Sequence, residues 1–286
     1  MQSAQIWLIG GTQESRILAE ALVQAGIPTL VTVTTEGGRS LYAHCPGLRV
    51  SIGAIEAAAM ANFIQSHGIV LILDASHPFA TIVSAGAIAA AQTCQIPYLR
   101  YERATFPPQS AQQSPWVQLI PDRRDILQDL PLGGERVLLI LGYRRLPEFQ
   151  PWQDRATLFT RILPSEIALK TALSTGFSPD RILALRPPVS FELESALWQQ
   201  WQISLVIAKA SGKPGGEDIK RRLAEHLRVS LLLLARPPLP YPAVTDSVEG
   251  AIDRCRQVMT AFNAGTGLNG TGLKMTREGR NAAIAD

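Results

Sequence analysis

The chain has 286 residues, of which 46% are hydrophobic and 18% are charged, which excludes a disordered or fibrous protein and allows one large or two ordinary globular domains. Its formal net charge is only +3, without a block of Lys and Arg residues, so we expect no nucleic-acid partner. Its three cysteines, Cys45, Cys94 and Cys255, lie far apart and exclude both a disulfide framework and a Cys-x-x-Cys metal or redox site.

The first predicted element is an apolar strand at residues 6–9 that stops at Gly10 and Gly11 and is followed by a helix at residues 14–25. Glycines allow a positive φ and a close approach of a ligand, and the N-terminus of the next helix favours an anion. We therefore predict a nucleotide-binding turn. An ordinary strand-to-helix turn is the alternative, because the full Gly-x-Gly-x-x-Gly pattern of dinucleotide enzymes is not present.

The second predicted strand, residues 30–34, ends in a loop that carries both signs of charge, at Glu36 and Arg39. In a dinucleotide-binding unit, a carboxylate here suits a free 2′-hydroxyl of the adenosine ribose, whereas an Arg suits a 2′-phosphate. Thr34, Thr35 and Ser40 add hydroxyl groups, so we favour the phosphate and hence NADPH. A solvated loop cation is the alternative for Arg39.

The next buried strand, residues 69–73, leads directly into Asp74-Ala75-Ser76-His77-Pro78-Phe79-Ala80. Open α/β sheets bind their ligands at the carboxyl ends of strands. Asp74, Ser76 and His77 are therefore candidate site residues. The alternative is that Asp74 and Ser76 only cap the helix that begins near Pro78.

The rest of the chain continues the alternation of strands and helices. A segment rich in Pro, Gln and Ser at residues 106–115 predicts a linker. Strands are predicted at residues 6–9, 30–34, 69–73, 96–100, 116–120, 137–141, 157–163, 182–185, 203–208 and 229–235, and helices at residues 14–25, 54–67, 123–130, 191–201, 217–227 and 247–262. Two more helices are predicted, one from about Pro78 through Gln92 and one that opens at Pro164.

This alternation predicts an α/β protein of two Rossmann-like domains, each a mainly parallel sheet flanked by helices. We expect an N-terminal dinucleotide-binding domain at residues 1–105 and a C-terminal substrate domain at residues 106–262, with the active site in the cleft between them. Residues 263–286 are rich in Gly, Asn and Thr, and we expect them to form a disordered tail.

Basic residues recur just after the predicted strands. If the strand ends face one cleft, this cleft is positive and suits a polyanionic substrate. Surface cations that follow strands by chance are the alternative. The residues are Arg100, Arg144, Arg145, Arg186, Lys209 and Arg236.

Four segments in this order resemble the precorrin-6A reductase family of corrin biosynthesis. They are Leu8-Ile9-Gly10-Gly11-Thr12-x-Glu14-x-Arg16, Gly38-Arg39-Ser40, the Asp74 to Ala80 segment, and Ala208-Lys209-x-Ser211-Gly212. The resemblance extends over residues 5–260, and the Asp-Ala-Ser-His-Pro-Phe-Ala segment is its most specific part.

The resemblance implies a two-domain enzyme in which NADPH reduces one double bond of precorrin-6A, or of its cobalt complex, by direct hydride transfer. It implies cofactor contacts to the phosphates from Gly10, Gly11, Thr12 and Arg16, and contacts to the 2′-phosphate from Arg39 and Ser40; Thr34 joins this set as a hydroxyl donor. It places Asp74 and His77 as catalytic candidates, with solvent as the alternative source of the proton, and Ser76, Lys209, Ser211 and Gly212 as substrate contacts. Arg144 and Arg186 join the substrate contacts as members of the basic group that follows the strands.

Two other functions are compatible with the same residues: an NADP-dependent reductase of another polycarboxylate substrate, or a non-catalytic NADPH-sensing protein. The expected partner is a small tetrapyrrole, and we expect a monomer or weak homo-oligomer without bound metal. No apolar run is long enough to cross a bilayer, and the first residues lack a signal-peptide pattern. We therefore expect a cytoplasmic protein without membrane association.

Overall fold

The structure is a computed structural model that describes residues 3–103, 114–268 and 274–276. The elements of the first part of the chain are β1 (Gln5–Ile9), α1 (Gln13–Gln24), β2 (Thr29–Val33), α2 (Glu36–Arg39), β3 (Arg49–Ile52), α3 (Ala57–Ser66), β4 (Ile69–Asp74), α4 (Thr81–Thr93) and β5 (Tyr98–Tyr101). Most of the predicted linker, residues 106–113, lies outside the described residues.

The elements beyond the linker are β6 (Val117–Ile120), α5 (Arg124–Gln128), β7 (Arg136–Ile140), β8 (Thr157–Ile162), α6 (Glu166–Ser174), β9 (Ile182–Ala184), α7 (Phe191–Gln200), β10 (Leu205–Lys209), α8 (Glu217–Leu227), β11 (Ser230–Leu234), β12 (Val244–Thr245), α9 (Val248–Asn263), β13 (Thr266–Leu268) and β14 (Lys274–Thr276). A 3₁₀ segment at Tyr143–Trp152 follows β7. All predicted strands are present, whereas β3, β12, β13 and β14 are not among the predicted ones.

Two six-stranded sheets are formed, with the orders β12-β5-β4-β1-β2-β3 and β6-β11-β10-β7-β8-β9. Every pairing between neighbours in both sheets is parallel. The predicted α/β architecture with a parallel sheet in each half is confirmed.

The β1 strand illustrates why these strands are almost wholly apolar. Ile6 and Leu8 pack in one core with Leu18 of α1, whereas Trp7 and Ile9 belong to a second core that contains residues of α3 and α4. Successive side chains of a strand point to opposite faces, so a sheet covered by helices on both faces needs apolar residues at every position.

The second sheet is built in the same way. Leu138 of β7 and Val206 of β10 pack with Trp198 of α7 and Leu223 of α8 in one core. All four of these side chains are at most 3% exposed. The buried strands bring their carboxyl ends to one edge of each sheet, and the loops at these edges carry the candidate site residues.

The chain divides into two compact units, Met1–Ala104 with Pro238–Asp286, and Thr105–Pro237. This differs from the expected boundaries, because the sequence analysis assigned residues 238–262 to the second domain. Helix α9 instead supplies Ala251, Ile252, Cys255 and Val258 to the core of the first unit, and β12 pairs with β5. The amphipathic pattern of α9 marks a buried face but does not identify the sheet on which this face packs.

The expected disordered tail needs a correction at its start. Helix α9 extends to Asn263, and β13 pairs with β14 in antiparallel orientation. Residues 269–273 and 277–286, on which the rest of that expectation falls, lie outside the described residues.

Candidate functional site

The strand order reverses once in each sheet. In the first sheet the chain proceeds from β1 outward to β2 on one side and to β4 on the other; in the second sheet β7 lies between β8 and β10. The loops on the two sides of such a reversal diverge and leave a crevice at the carboxyl ends of the strands, where α/β proteins bind ligands. The glycine turn follows β1, the Asp74 segment follows β4, and Lys209 ends β10.

The glycine turn is tied to the neighbouring strand end by Thr12. Gly11 has a φ of +98°, which only glycine adopts readily. Thr12 is the N-cap of α1, where its hydroxyl accepts a hydrogen bond from the Ser15 amide at 3.1 Å. The same hydroxyl donates to the carbonyl of Ala75 at 2.8 Å, so the loops after β1 and β4 are joined.

Tyr42 packs against the inner side of this turn and is a residue that sequence reasoning missed. Its buried Oη accepts a hydrogen bond from the Gly11 amide at 2.9 Å and lies 2.7 Å from Ser15 Oγ. A Cβ atom at Gly10 would lie 2.2 Å from this Oη, so Gly10 is required by the packing of Tyr42. Burial raises the pKa of Tyr42, which keeps the phenol protonated at neutral pH.

The amides of the turn are therefore largely used within the protein. The Gly10 amide donates to the carbonyl of Thr32 and the Thr12 amide to Ser15 Oγ, both at 2.9 Å. Among the described residues of this turn, the amides left for an anion are those of Gln13 and Glu14 in the first turn of α1. Arg16, one turn further along α1, forms an ion pair with Glu20.

The loop after β2 presents accessible polar groups beside the glycine turn, since β2 neighbours β1. Thr34, Arg39 and Ser40 are exposed. The Arg39 side chain is 59% exposed, and its guanidinium lies 4.0 Å from the carboxylate of Glu36. This distance allows only a weak surface interaction, so Arg39 is available to a ligand.

Asp74, in contrast, is completely buried and receives four hydrogen bonds. The donors are the Ser76 amide at 2.9 Å, Ser84 Oγ and Tyr98 Oη at 2.6 Å each, and the Arg100 guanidinium at 3.0 Å. Burial and the Asp74 carboxylate together raise the pKa of Tyr98. The carboxylate therefore acts as an acceptor inside the protein.

Arg100 completes this buried network. It is 1% exposed, donates to Glu102 at 2.8 Å and to Ser76 Oγ at 3.2 Å, and lies over the ring of Tyr241 at 5.3 Å. One sequence-based expectation needs correction, and one stays a prediction. Arg100 is not a cation exposed at the strand ends. The catalytic role expected of Asp74 stays a prediction, and its four donors suit a residue that holds the segment in place.

His77, in the same motif, is less buried than Asp74. It is partly exposed, and its Nδ1 accepts a hydrogen bond from the Phe79 amide at 3.2 Å. In the neutral imidazole this acceptor role assigns the proton to Nε2. Ser76, which is 6% exposed, is directed into the Arg100 network.

In the second unit, Lys209 ends β10, and Arg144 and Arg145 follow the neighbouring strand β7. The three basic residues therefore lie near one another. Burial, followed by the positive charge of Arg145, lowers the pKa of Lys209 to about 8. Arg145 itself forms ion pairs with Asp122 at 2.5 Å and with Glu148 at 2.6 Å. Its charge is thus largely balanced within the protein, whereas Arg144 is exposed.

The structure separates the remaining predicted substrate residues. Ser211 is 7% exposed, and the amide of the buried Gly212 donates to Glu217 at 2.8 Å, so both belong to the inner side of their loop. Arg186 is exposed but follows β9, which is three strands from β10, roughly 14 Å away. It therefore does not join the Lys209 group.

Two further features concern the part of the chain that the structure describes. Within it, no group of three or more His, Cys, Asp or Glu side chains could bind a metal ion. None of its helices is long and apolar enough to cross a membrane.

A model of the family described as precorrin-6x reductase CbiJ/CobK matches residues 5–256, which span both parallel sheets. The chain belongs to the precorrin-6x reductase family. Members of this family are oxidoreductases that reduce precorrin-6A in the biosynthesis of cobalamin. The expectation drawn from the four sequence segments is thereby confirmed at the level of the family.

Curated relatives agree over nearly their whole lengths. A cobalt-precorrin-6A reductase of Synechocystis sp. is 44% identical over 257 residues, which cover 89% of this chain and 97% of that protein. A cobalt-precorrin-6A reductase of Priestia megaterium is 30% identical, covering 86% and 96%, and a precorrin-6A reductase of Rhodococcus erythropolis is 31% identical, covering 87% and 96%.

A solved structure of a CobK precorrin-6A reductase has the same fold. The TM-score is 0.72 with 24% sequence identity, and the similarity covers 89% of this chain and 97% of that chain. This agreement supports the assignment of two parallel-sheet units to the precorrin-6x reductase fold.

Proposed function

We propose that this protein reduces one double bond of the cobalt-precorrin-6A macrocycle with NADPH as the hydride donor. The observation that carries the proposal is the 44% identity to a cobalt-precorrin-6A reductase over 97% of that protein. It favours the cobalt-containing substrate over metal-free precorrin-6A. The geometry at the strand ends supports a dinucleotide in the first unit and a polycarboxylate in the second.

The first unit fits NADPH through groups that are accessible beside β1 and β2. Nothing lies within 4 Å of the position that a Cβ at Gly11 would occupy, so a ligand can approach the backbone there. The amides of Gln13 and Glu14, together with Arg16, would bind the pyrophosphate. Arg39, with the hydroxyls of Thr34 and Ser40, would bind the 2′-phosphate.

The reduction adds two hydrogen atoms across the double bond. NADPH supplies one of them, as a hydride from C4 of its nicotinamide, and the other arrives as a proton. His77 is our candidate for the proton donor because its side chain is partly exposed, and because its Nδ1 accepts from the Phe79 amide, which leaves the proton of the neutral ring on Nε2. Asp74 and Arg100 would keep the 74–77 segment in place through Ser76.

The second unit supports binding of the acidic substrate. Precorrins carry several acetate and propionate groups, which are negatively charged at neutral pH. Lys209 and Arg144 would bind such carboxylates at the end of β10. The exposed Lys213, in the loop after Lys209, adds a third positive charge. Arg186 would contact only a part of the macrocycle that extends toward β9.

The test is an anaerobic assay with cobalt-precorrin-6A and, separately, metal-free precorrin-6A. We expect loss of NADPH absorbance and a product heavier by two hydrogen atoms, with the higher rate for the cobalt complex. A higher rate with metal-free precorrin-6A would overturn the choice of substrate. NADPH binding without turnover of either macrocycle would contradict the proposal and favour an NADPH sensor or a reductase of another polycarboxylate.

A further inference from the structure

Two buried charged side chains of α8 form hydrogen bonds with the backbone of the loop between β10 and α8, residues 210–216. Glu217 accepts a hydrogen bond from the Gly212 amide at 2.8 Å. Lys220 Nζ donates to the carbonyl oxygens of Gly215 at 2.7 Å and Gly216 at 3.0 Å. Glu217 and Lys220 are each only 3% exposed.

The two contacts act on opposite ends of the loop. Residues three positions apart lie on one face of a helix, so both side chains can reach the same loop. Glu217 contacts Gly212 near the start of the loop, and Lys220 contacts Gly215 and Gly216 at its end. Between these points the chain is closely packed, since a Cβ at Gly215 would lie 1.9 Å from Ser211 Oγ. Gly216 has a φ of +68°, a conformation that strains any side-chain-bearing residue. The loop is thereby fixed in one conformation.

Charged residues from two neighbouring elements surround the Lys220 ammonium group. Arg161 of β8 and Glu194 of α7 form a buried ion pair, and Glu217 and Asp218 of α8 also face Lys220. Burial, followed by Arg161, lowers the pKa of Lys220 to about 8. Burying a charged amine is unfavourable compared with an apolar side chain of similar size. The hydrogen bonds to the two glycine carbonyls provide a reason for a lysine at this position.

We propose that Glu217 and Lys220 are positioning residues for substrate binding, which fix the 210–216 loop so that Lys209 and Lys213 present their charges to the carboxylates of the macrocycle. Lys209 directly precedes this loop and Lys213 lies within it. Neither Glu217 nor Lys220 contacts the substrate, since both are buried below the loop. This inference rests on the proposed function for the identity of the substrate.

The first experiment needs no substrate: amide hydrogen exchange in the full-length chain. In Lys220→Met we expect the amides of Gly212, Lys213, Gly215 and Gly216 to exchange about tenfold faster than in the wild type, while the first unit is unchanged. Glu225→Gln is the matched control, because Glu225 is an exposed residue of the same helix. Unchanged exchange in the loop would overturn the proposal.

The second experiment separates positioning from general stability. In Lys220→Met we expect the KM for cobalt-precorrin-6A to rise about tenfold, with the KM for NADPH and the kcat nearly unchanged. Glu217→Ala should behave similarly, whereas Glu217→Gln, which keeps an acceptor for the Gly212 amide, should restore most of the affinity. This pair also decides the matter if Lys220→Met does not fold.

The outcomes distinguish the two proposals. Faster exchange of the loop with an unchanged KM for the macrocycle would overturn the positioning role. Equal loss in Glu217→Ala and Glu217→Gln would also overturn it, because the hydrogen bond would then be irrelevant. Absence of turnover by the wild-type protein would overturn the proposed function instead, while the exchange comparison would still decide whether the two residues fix the loop.

Discussion

Asp74 is a motif residue whose carboxylate is buried and receives hydrogen bonds from within the protein. The sequence predicted a polar cluster at the end of a buried strand, and this cluster is present at the end of β4. It could not predict that Tyr98 and Arg100 donate to the same carboxylate, because they belong to another strand and the sequence does not specify which strands are neighbours. The motif therefore contains one fully buried residue, Asp74, and one partly exposed residue, His77.

Asp74→Asn should destabilise the protein strongly. Removal of this charge leaves Arg100 buried beside a neutral amide, and breaking a buried ion pair from one side costs about 3–5 kcal/mol. Chemical denaturation, with Asp246→Asn at an exposed site as the control, measures the difference. Normal stability combined with lost turnover would contradict the positioning role and support direct participation of Asp74 in the reaction.

Arg39→Ala should abolish the preference for NADPH over NADH. Its guanidinium is the accessible positive group of the loop after β2, and a hydrogen bond to a charged phosphate is worth about 1.5–3 kcal/mol, or about tenfold or more in affinity. The ratio of the Kd values of the two cofactors is the quantity to measure. Arg49→Ala is a suitable control, since this exposed Arg lies at the amino end of β3, and a preference that survives in Arg39→Ala would place the 2′-phosphate elsewhere.

The pH dependence of kcat/KM should report the state of Lys209. The pKa of Lys209 is lowered to about 8, so its positive charge is present below this pH and is lost above it. If the charge binds a substrate carboxylate, kcat/KM for the macrocycle falls about tenfold per pH unit beyond pH 8. In Lys209→Met we expect a lower kcat/KM that no longer falls above pH 8. If the fall above pH 8 persists in this variant, the titration belongs to another group.

Helices and strands were predicted more reliably than the partners on which they pack. The glycine turn, the helix after it and α8 follow directly from apolar periodicity and capping residues. The role of Tyr42 behind Gly10 and Gly11 has no local signal, since it depends on a contact across 31 residues. Helix α9 was predicted almost to the residue but was assigned to the wrong unit, because its pattern indicates only that one face is buried.

Ile252→Ala tests the assignment of α9 at the level of the element. Ile252 is 6% exposed and packs in the core of the first unit, so its truncation should cost about 2–5 kcal/mol. Arg256→Ala, on the exposed side of the same helix, is the control and should have little effect. The prediction is contradicted if Ile252→Ala unfolds at the same denaturant concentration as the control, or if it weakens only the second unit in hydrogen exchange.

For the whole molecule, the sequence was sufficient for the fold class and for two parallel sheets. It was not sufficient for the order of the strands, on which the positions of the site residues depend. The same loop residues are near or far from each other according to that order. Lys209 and Arg144 lie at neighbouring strands, whereas Arg186 follows an edge strand, although all three were equivalent members of the predicted cationic group.

Truncation at Pro237 tests the division of the whole chain. Such a chain keeps the complete second unit but removes β12 and α9 from the first. We expect it to lose NADPH binding and to be cut rapidly by trypsin within residues 1–104, while residues 105–237 remain resistant. NADPH binding at wild-type affinity would contradict the view that the returning segment is an essential part of the first unit. The full-length chain, treated in parallel, is the control.

The return of the chain to its first sheet also has a consequence for biosynthesis. Proteins made on the ribosome commonly fold their N-terminal part first, but here residues 1–104 lack Ala251, Ile252, Cys255 and Val258 until translation has passed residue 258. The 105–237 unit has all its strands earlier. Part of the apolar surface of the nascent N-terminal sheet therefore stays exposed until α9 has been made. A chaperone that binds this surface would benefit the protein most during this interval, as would a slower rate of translation.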